Sequence, residues 1–153
     1  ALHRPTLNAR VEQRGEELLF EQPSVVAVVG AALSRPQGEP LPERADDPRV
    51  VDADKDGKPG VTVRVRGLVD GEIYLVQRTW SAMRGRAVSA RRIEGLLSHD
   101  KEEVVLGATH DVLAAFPPTR PDLEESYFVL ERAPASATCA DANARMEALL
   151  TAR

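Results

Sequence analysis

The chain has 153 residues, 42% of them apolar and 29% charged, with a formal net charge of −4. That length fits a single domain, 1–153, able to bury its own core, and the composition is ordinary for a globular protein. No run approaches the roughly 18 apolar residues of a membrane-crossing helix, and Cys139, the single cysteine, excludes a disulfide scaffold.

Residues 9 to 22 hold Val11, a Gly15 turn and then Leu18-Leu19-Phe20, which predicts a hairpin leading to Pro23. The first residues, Ala1 to Pro5, lack the charged-then-apolar pattern of an export signal. Val25-Val26-Ala27-Val28-Val29 follows, bounded by Pro23 and Gly30. Four valines in five positions favour a buried strand, because valine loses rotamer freedom in a helix and packs well on a pleated surface. Residues 34–50 carry Pro36, Pro40, Pro42 and Pro48 among charges and read as a long connection.

That connection delivers the chain to Asp52-Ala53-Asp54-Lys55-Asp56-Gly57-Lys58-Pro59-Gly60, the stretch with the most explicit chemistry. A hard divalent cation wants six to eight oxygens at about 2.3 to 2.6 Å, and alternate carboxylates converge on one point only if the chain curls tightly. Gly57 permits that curl. The first half of an EF-hand loop has this spacing, but Val63 stands where a bidentate Glu closes such a loop, and a strand follows where a helix exits. The Asp-x-Asp-x-Asp-Gly run resembles instead the short calcium loops of thrombospondin type 3, integrin-type and dockerin-like repeats, over residues 52–60 only. The resemblance implies calcium held by Asp52, Asp54 and Asp56 with the Lys58 carbonyl, and leaves Glu43, Asp46 and Asp47 as the nearest further acids. Lys55 lowers the charge of the loop, which points to a weak, structural site of the kind that fills only where calcium is abundant.

Val61, Val63 and Val65 alternate with polar neighbours, so a half-buried strand is expected, turned by Asp70-Gly71 into an antiparallel partner over 72–80. Met83, Ala87, Ala90, Ile93 and Leu97 recur at helical spacing, yet a hairpin through Met83-Arg84-Gly85-Arg86 suits a meander better. Strands are expected over 103–107 and 126–131, with a short helix between them from Thr109 to Phe116, capped by Thr109 and ended by Pro117-Pro118. Residues 138–152 carry an apolar stripe through Ala142 and Met146 with Asp141 in the first turn, and predict a terminal helix.

At least six strands separated mostly by turns give an all-β chain, an antiparallel meander barrel or sandwich; the alternative is α+β with a helix at 81–97. Seven arginines between Val61 and Ile93 face two acids there, a surplus most simply read as a solvated sheet face. The run lacks the interleaved aromatics that stack bases, so nucleic acid is not an expected partner. Cys139 is expected to be a small semi-buried residue, His99 and His110 to sit in polar turns, and Trp80, Tyr74 and Tyr127 to be core. No catalytic motif is present; His110, Asp111 and Glu94 are the first residues to test for activity. The expected function is a calcium-stabilised, non-catalytic binding domain, extracellular or periplasmic, for a small ligand or a protein partner. A structural or adhesion module of a cell-surface assembly is the first alternative, and a hydrolase or isomerase the second.

Overall fold

The computed structural model describes residues 8–115, 122 and 126–151. Among them six strands form one open antiparallel sheet: β1 (Arg10–Arg14), β2 (Glu17–Val29), β3 (Val61–Val65), β4 (Gly71–Ser89), β5 (Arg92–Ala108) and β6 (Tyr127–Glu131). Two helices complete the description, α1 (Asp111–Ala114) and α2 (Cys139–Thr151). The antiparallel, mainly β expectation holds, as one open sheet and not as the expected barrel or sandwich. Strand order is β1-β2-β4-β5-β6, and β3 takes the place beside the start of β4 that β2 holds beside its remainder.

The Gly15 and Asp70-Gly71 turns stand where expected: Arg14 pairs with Glu17, and Val65 with Gly71. Segment 81–97 is extended, so the helical alternative is set aside. Its turn, however, lies at Ala90-Arg91 and not at Gly85, which sits within β4 opposite Gly95 of β5. An ideal Cβ on Gly95 would lie 2.1 Å from the Arg84 carbonyl oxygen, and one on Gly85 2.3 Å from that of Glu94. Glycine serves close strand approach there and not a turn.

One cross-strand row runs through all five strands of this end: Val11, Phe20, Gly85, Gly95 and Phe128. Period-two alternation then assigns faces. Phe20 and Phe128 share an inner face with Leu18, Ala87, Ile93 and Leu130, whereas Glu17, Glu21, Arg84, Arg86, Arg92 and Glu94 share the outer one. The outer charges pair across strands, Arg84 with Glu21 at 3.3 Å and Arg86 with Glu17 at 3.3 Å. Arg64 also lies 3.6 Å from Glu72, so most of the arginine surplus is balanced by acids on neighbouring strands.

An open sheet has little to bury against, and the buried apolar set among the described residues is correspondingly small: Phe20, Ala31, Leu41, Leu75, Val76, Leu113 and Phe128. The valine run in β2 is therefore half-buried instead of buried, with Val29 37% exposed. Val63 likewise opens to solvent. Trp80 and Tyr74 are half-buried and Tyr127 exposed, so none of the three aromatics expected in the core is fully enclosed. α1 is shorter than expected. Thr109 does not cap it; the Thr109 hydroxyl accepts from the Glu72 amide at 2.9 Å, while His110 takes the N-cap position. Phe116, Pro117 and Pro118 lie outside the described residues. α2 begins on a reciprocal cap in which the Thr138 amide donates to Asp141 at 2.8 Å and the Asp141 amide to the Thr138 hydroxyl at 3.3 Å. Arg145 ties α2 to β6 through Glu131 at 2.9 Å.

Candidate metal centre

Residues 50–60 curl back on themselves before entering β3. The Asp52 carboxylate accepts three backbone amides, from Lys55 at 2.6 Å, Asp56 at 3.2 Å and Gly57 at 2.8 Å. The Gly57 N–H, with those of Lys55 and Asp56, holds the Asp52 carboxyl below its ordinary value. Lys55 adopts φ 64° and Gly57 φ 82°, the left-handed conformations that so tight a loop demands. The loop closes through the Ala53 amide, which donates to the Gly60 carbonyl at 2.8 Å.

Asp54 and Asp56 are aimed by the strand that follows. Asp54 accepts the Thr62 amide at 3.0 Å, and Asp56 accepts the Thr62 hydroxyl at 2.6 Å and the Lys58 amide at 2.9 Å. One carboxylate oxygen from each of Asp52, Asp54 and Asp56 lies within 4.8 Å of the others, all three side chains being exposed. Three like charges this close repel unless a cation or solvent screens them. The cluster is an arrangement that could hold a metal ion, built from oxygen donors alone with no Cys or His.

The loop is seated on the sheet by glycine. A Cβ on Gly60 would lie 2.3 Å from the Leu75 carbonyl oxygen of β4, and one on Gly30 2.9 Å from the Gly60 Cα. Two arginines then fasten the 34–50 connection that leads into it. Arg78 of β4 is only 3% exposed; its guanidinium donates to the Pro36 carbonyl at 3.1 Å and the Glu39 carbonyl at 2.7 Å, and meets Glu102 at 3.1 Å. Its charge also lies 5.4 Å from the Trp80 ring centre. Arg49 binds Asp47 through two hydrogen bonds of 3.0 and 2.7 Å and reaches Glu39 at 3.0 Å. The Arg49 hydrogen bonds hold the Asp47 carboxyl down at about 2.

These contacts reassign the expected further acids. Asp47 is committed to Arg49 and Asp46 to Arg44 at 2.7 Å, and Glu43 does not join the cluster, so among the described residues the acidic group is the Asp52, Asp54 and Asp56 triad alone. Lys58 stands with its ammonium 5.6 Å from the Tyr74 ring centre. The only sequence signal for Arg78 is its place within a β-branched and aromatic run, and nothing in the sequence marks Arg49 as its companion in clasping the connection.

The other singled-out residues are scattered. His110 follows the end of β5, whereas Glu94 lies near its start, about 45 Å of strand before that end at roughly 3.3 Å per residue, so the two do not share a site. His99 is half-buried within β5 opposite Ser81 and not in a turn. Cys139 opens α2 and is exposed, contrary to the semi-buried expectation. No helix among the described residues is long and apolar enough to cross a membrane.

Comparison with protein-family models, with curated proteins and with solved structures finds no match for this chain. What stands is thus a local acidic cluster that could hold a metal ion, carried by the triad and its turn.

Proposed function

We propose that this chain is a calcium-stabilised, non-catalytic binding domain in which the ion pins the connection 34–60 to the sheet. The observation that carries the reading is the convergence of Asp52, Asp54 and Asp56 within 4.8 Å on a loop seated against β4. A donor set of carboxylates without nitrogen or sulfur suits a hard cation, and calcium accepts the irregular geometry of a flexible loop better than magnesium does. The Lys58 carbonyl is the proposed fourth ligand, with solvent completing the shell. An exposed site with a lysine inside it binds weakly, which suits an extracellular or periplasmic setting where calcium is plentiful. The ion acts as a staple: it neutralises carboxylates that otherwise repel and ties the start of β3 to the loop before it.

The deciding experiment is thermal unfolding with calcium or with chelator, on the unaltered chain and on Asp54→Ala. Stabilisation that rises with calcium and vanishes in Asp54→Ala is expected. An unfolding midpoint indifferent to calcium in the unaltered chain would sink the reading.

A further inference from the structure

We infer that the inner face of the sheet is a binding groove for a free fatty acid, with Arg91 and Arg132 receiving its carboxylate. The inference rests on the reading of the chain as a binding domain and gives that domain its ligand class. Beyond the Phe20 and Phe128 row, the next row of the inner face is Gln13, Leu18, Ala87, Ile93 and Leu130. Neither row contains an Asp, Glu, Lys or Arg, whereas the opposite face of the same strands carries the paired charges. Three of these inner residues are open to solvent, Val11 at 58%, Leu18 at 44% and Leu130 at 37% exposure. Between them lies a groove of about 370 Å³, within the range of small-molecule sites.

The shape of the face selects the occupant. A second sheet packs about 10 Å away across a broad, gently twisted surface. Here the face curls until the Phe20 and Phe128 rings stand 5.7 Å apart, so the occupant we infer is a thin chain instead of another layer. Charge then orients the ligand. Arg91, in the hairpin turn, and Arg132, just past the end of β6, line the groove at the hairpin end, and their backbones are joined by the Arg132 amide donating to the Arg91 carbonyl at 2.9 Å. Among the described residues neither guanidinium has a carboxylate partner, unlike Arg92, which meets Glu131 at 3.0 Å. The lining also holds Arg92 and Glu131, which pair with each other, so Arg91 and Arg132 are the charges left to complement one carboxylate followed by an acyl chain.

The test is calorimetric titration of dodecanoate and dodecanol into the unaltered chain, Val11→Glu and the double variant Arg91→Ala/Arg132→Ala, each in calcium and in chelator. Saturable binding of dodecanoate is expected, weakened about tenfold or more by Val11→Glu. The double variant should lose a similar factor for dodecanoate while binding dodecanol as before. Absence of saturable binding overturns the inference, as does equal binding by Val11→Glu. A native mass of two chains that falls to one in Val11→Glu would show that a second copy covers the face instead, and binding to anionic vesicles without binding of free dodecanoate would assign the arginines to a membrane surface. Val11 is already exposed, so its substitution spares the fold. The calcium response of the unfolding midpoint is read separately, so failure of the staple and failure of the groove remain distinguishable.

Discussion

The rings of Phe20 and Phe128 lie 5.7 Å apart at an interplanar angle of 52°, although three strand-to-strand steps, about 14 Å on a flat sheet, separate their backbones. They meet because the two positions between them in the row are Gly85 and Gly95, which leave the floor empty; a Cβ on Gly85 would stand 2.9 Å from the Phe128 ring. The pair thereby ties β2 to β6 across β4 and β5 and sets the curl of the whole distal end.

Gly95→Ala should therefore be among the most damaging small substitutions in the chain. Its methyl meets backbone and not a yielding side chain, so a loss of about 3 kcal/mol is expected from urea unfolding. Phe128→Ala should cost a similar amount, about 3 kcal/mol, by opening a void beside Phe20. A Gly95→Ala variant as stable as the parent would show that the strands do not approach so closely.

Arg78 carries a different kind of load. It joins β4 to two carbonyls of the connection 34–50 and to Glu102, and lysine has no planar fork to span all three. Arg78→Lys should cost about 2 kcal/mol, and amide exchange should speed up selectively between Ser34 and Val50. Uniform exchange across the sheet would contradict a local clasp.

Acid should loosen the same connection. Asp47 falls from an ordinary 3.8 to about 2 in the folded chain, chiefly through Arg49, and Glu39 is lowered by the Arg35 amide and by Arg49. Because these carboxyls are depressed on folding, the unfolded chain takes up more protons as pH falls. Their contribution is complete above the unfolded values and drains away as pH drops from about 4 towards about 2. Unfolding midpoints recorded over that range should show a shallower acid limb in Asp47→Asn than in the parent; parallel limbs would remove Asp47 from the account.

Asp52 and Asp54 should separate by role. Asp52 holds three loop amides with or without an ion, so Asp52→Ala should lower the midpoint even in chelator, whereas Asp54→Ala should act mainly by abolishing the calcium response. For a site with a dissociation constant near 1 mM, about 10 mM calcium adds about 1.4 kcal/mol. That is a rise of about 3 to 6 °C for a chain of this size.

Much of this molecule is legible one element at a time. Alternating valines, the Gly15 and Asp70-Gly71 turns, the Thr138 to Asp141 helix start and the spacing of Asp52, Asp54 and Asp56 are local signals, and local backbone preference suffices to read them. The same logic misplaced Gly85 in a turn, because a glycine required by a neighbouring strand looks identical in sequence to one required by a bend. It also expected a closed or doubled sheet, since strand count alone does not reveal which faces find a partner.

By itself, then, the sequence determined strands, turns and the acidic loop, all of them consequences of residues within a few positions of one another. Tertiary structure alone decided that Phe20 meets Phe128, that Arg78 reaches across to Pro36 and Glu39, and that Arg91 stands beside Arg132. Those relationships depend on pairing register summed over several strands, and register is fixed by the collective fit of side chains on both faces of the sheet rather than by any segment alone.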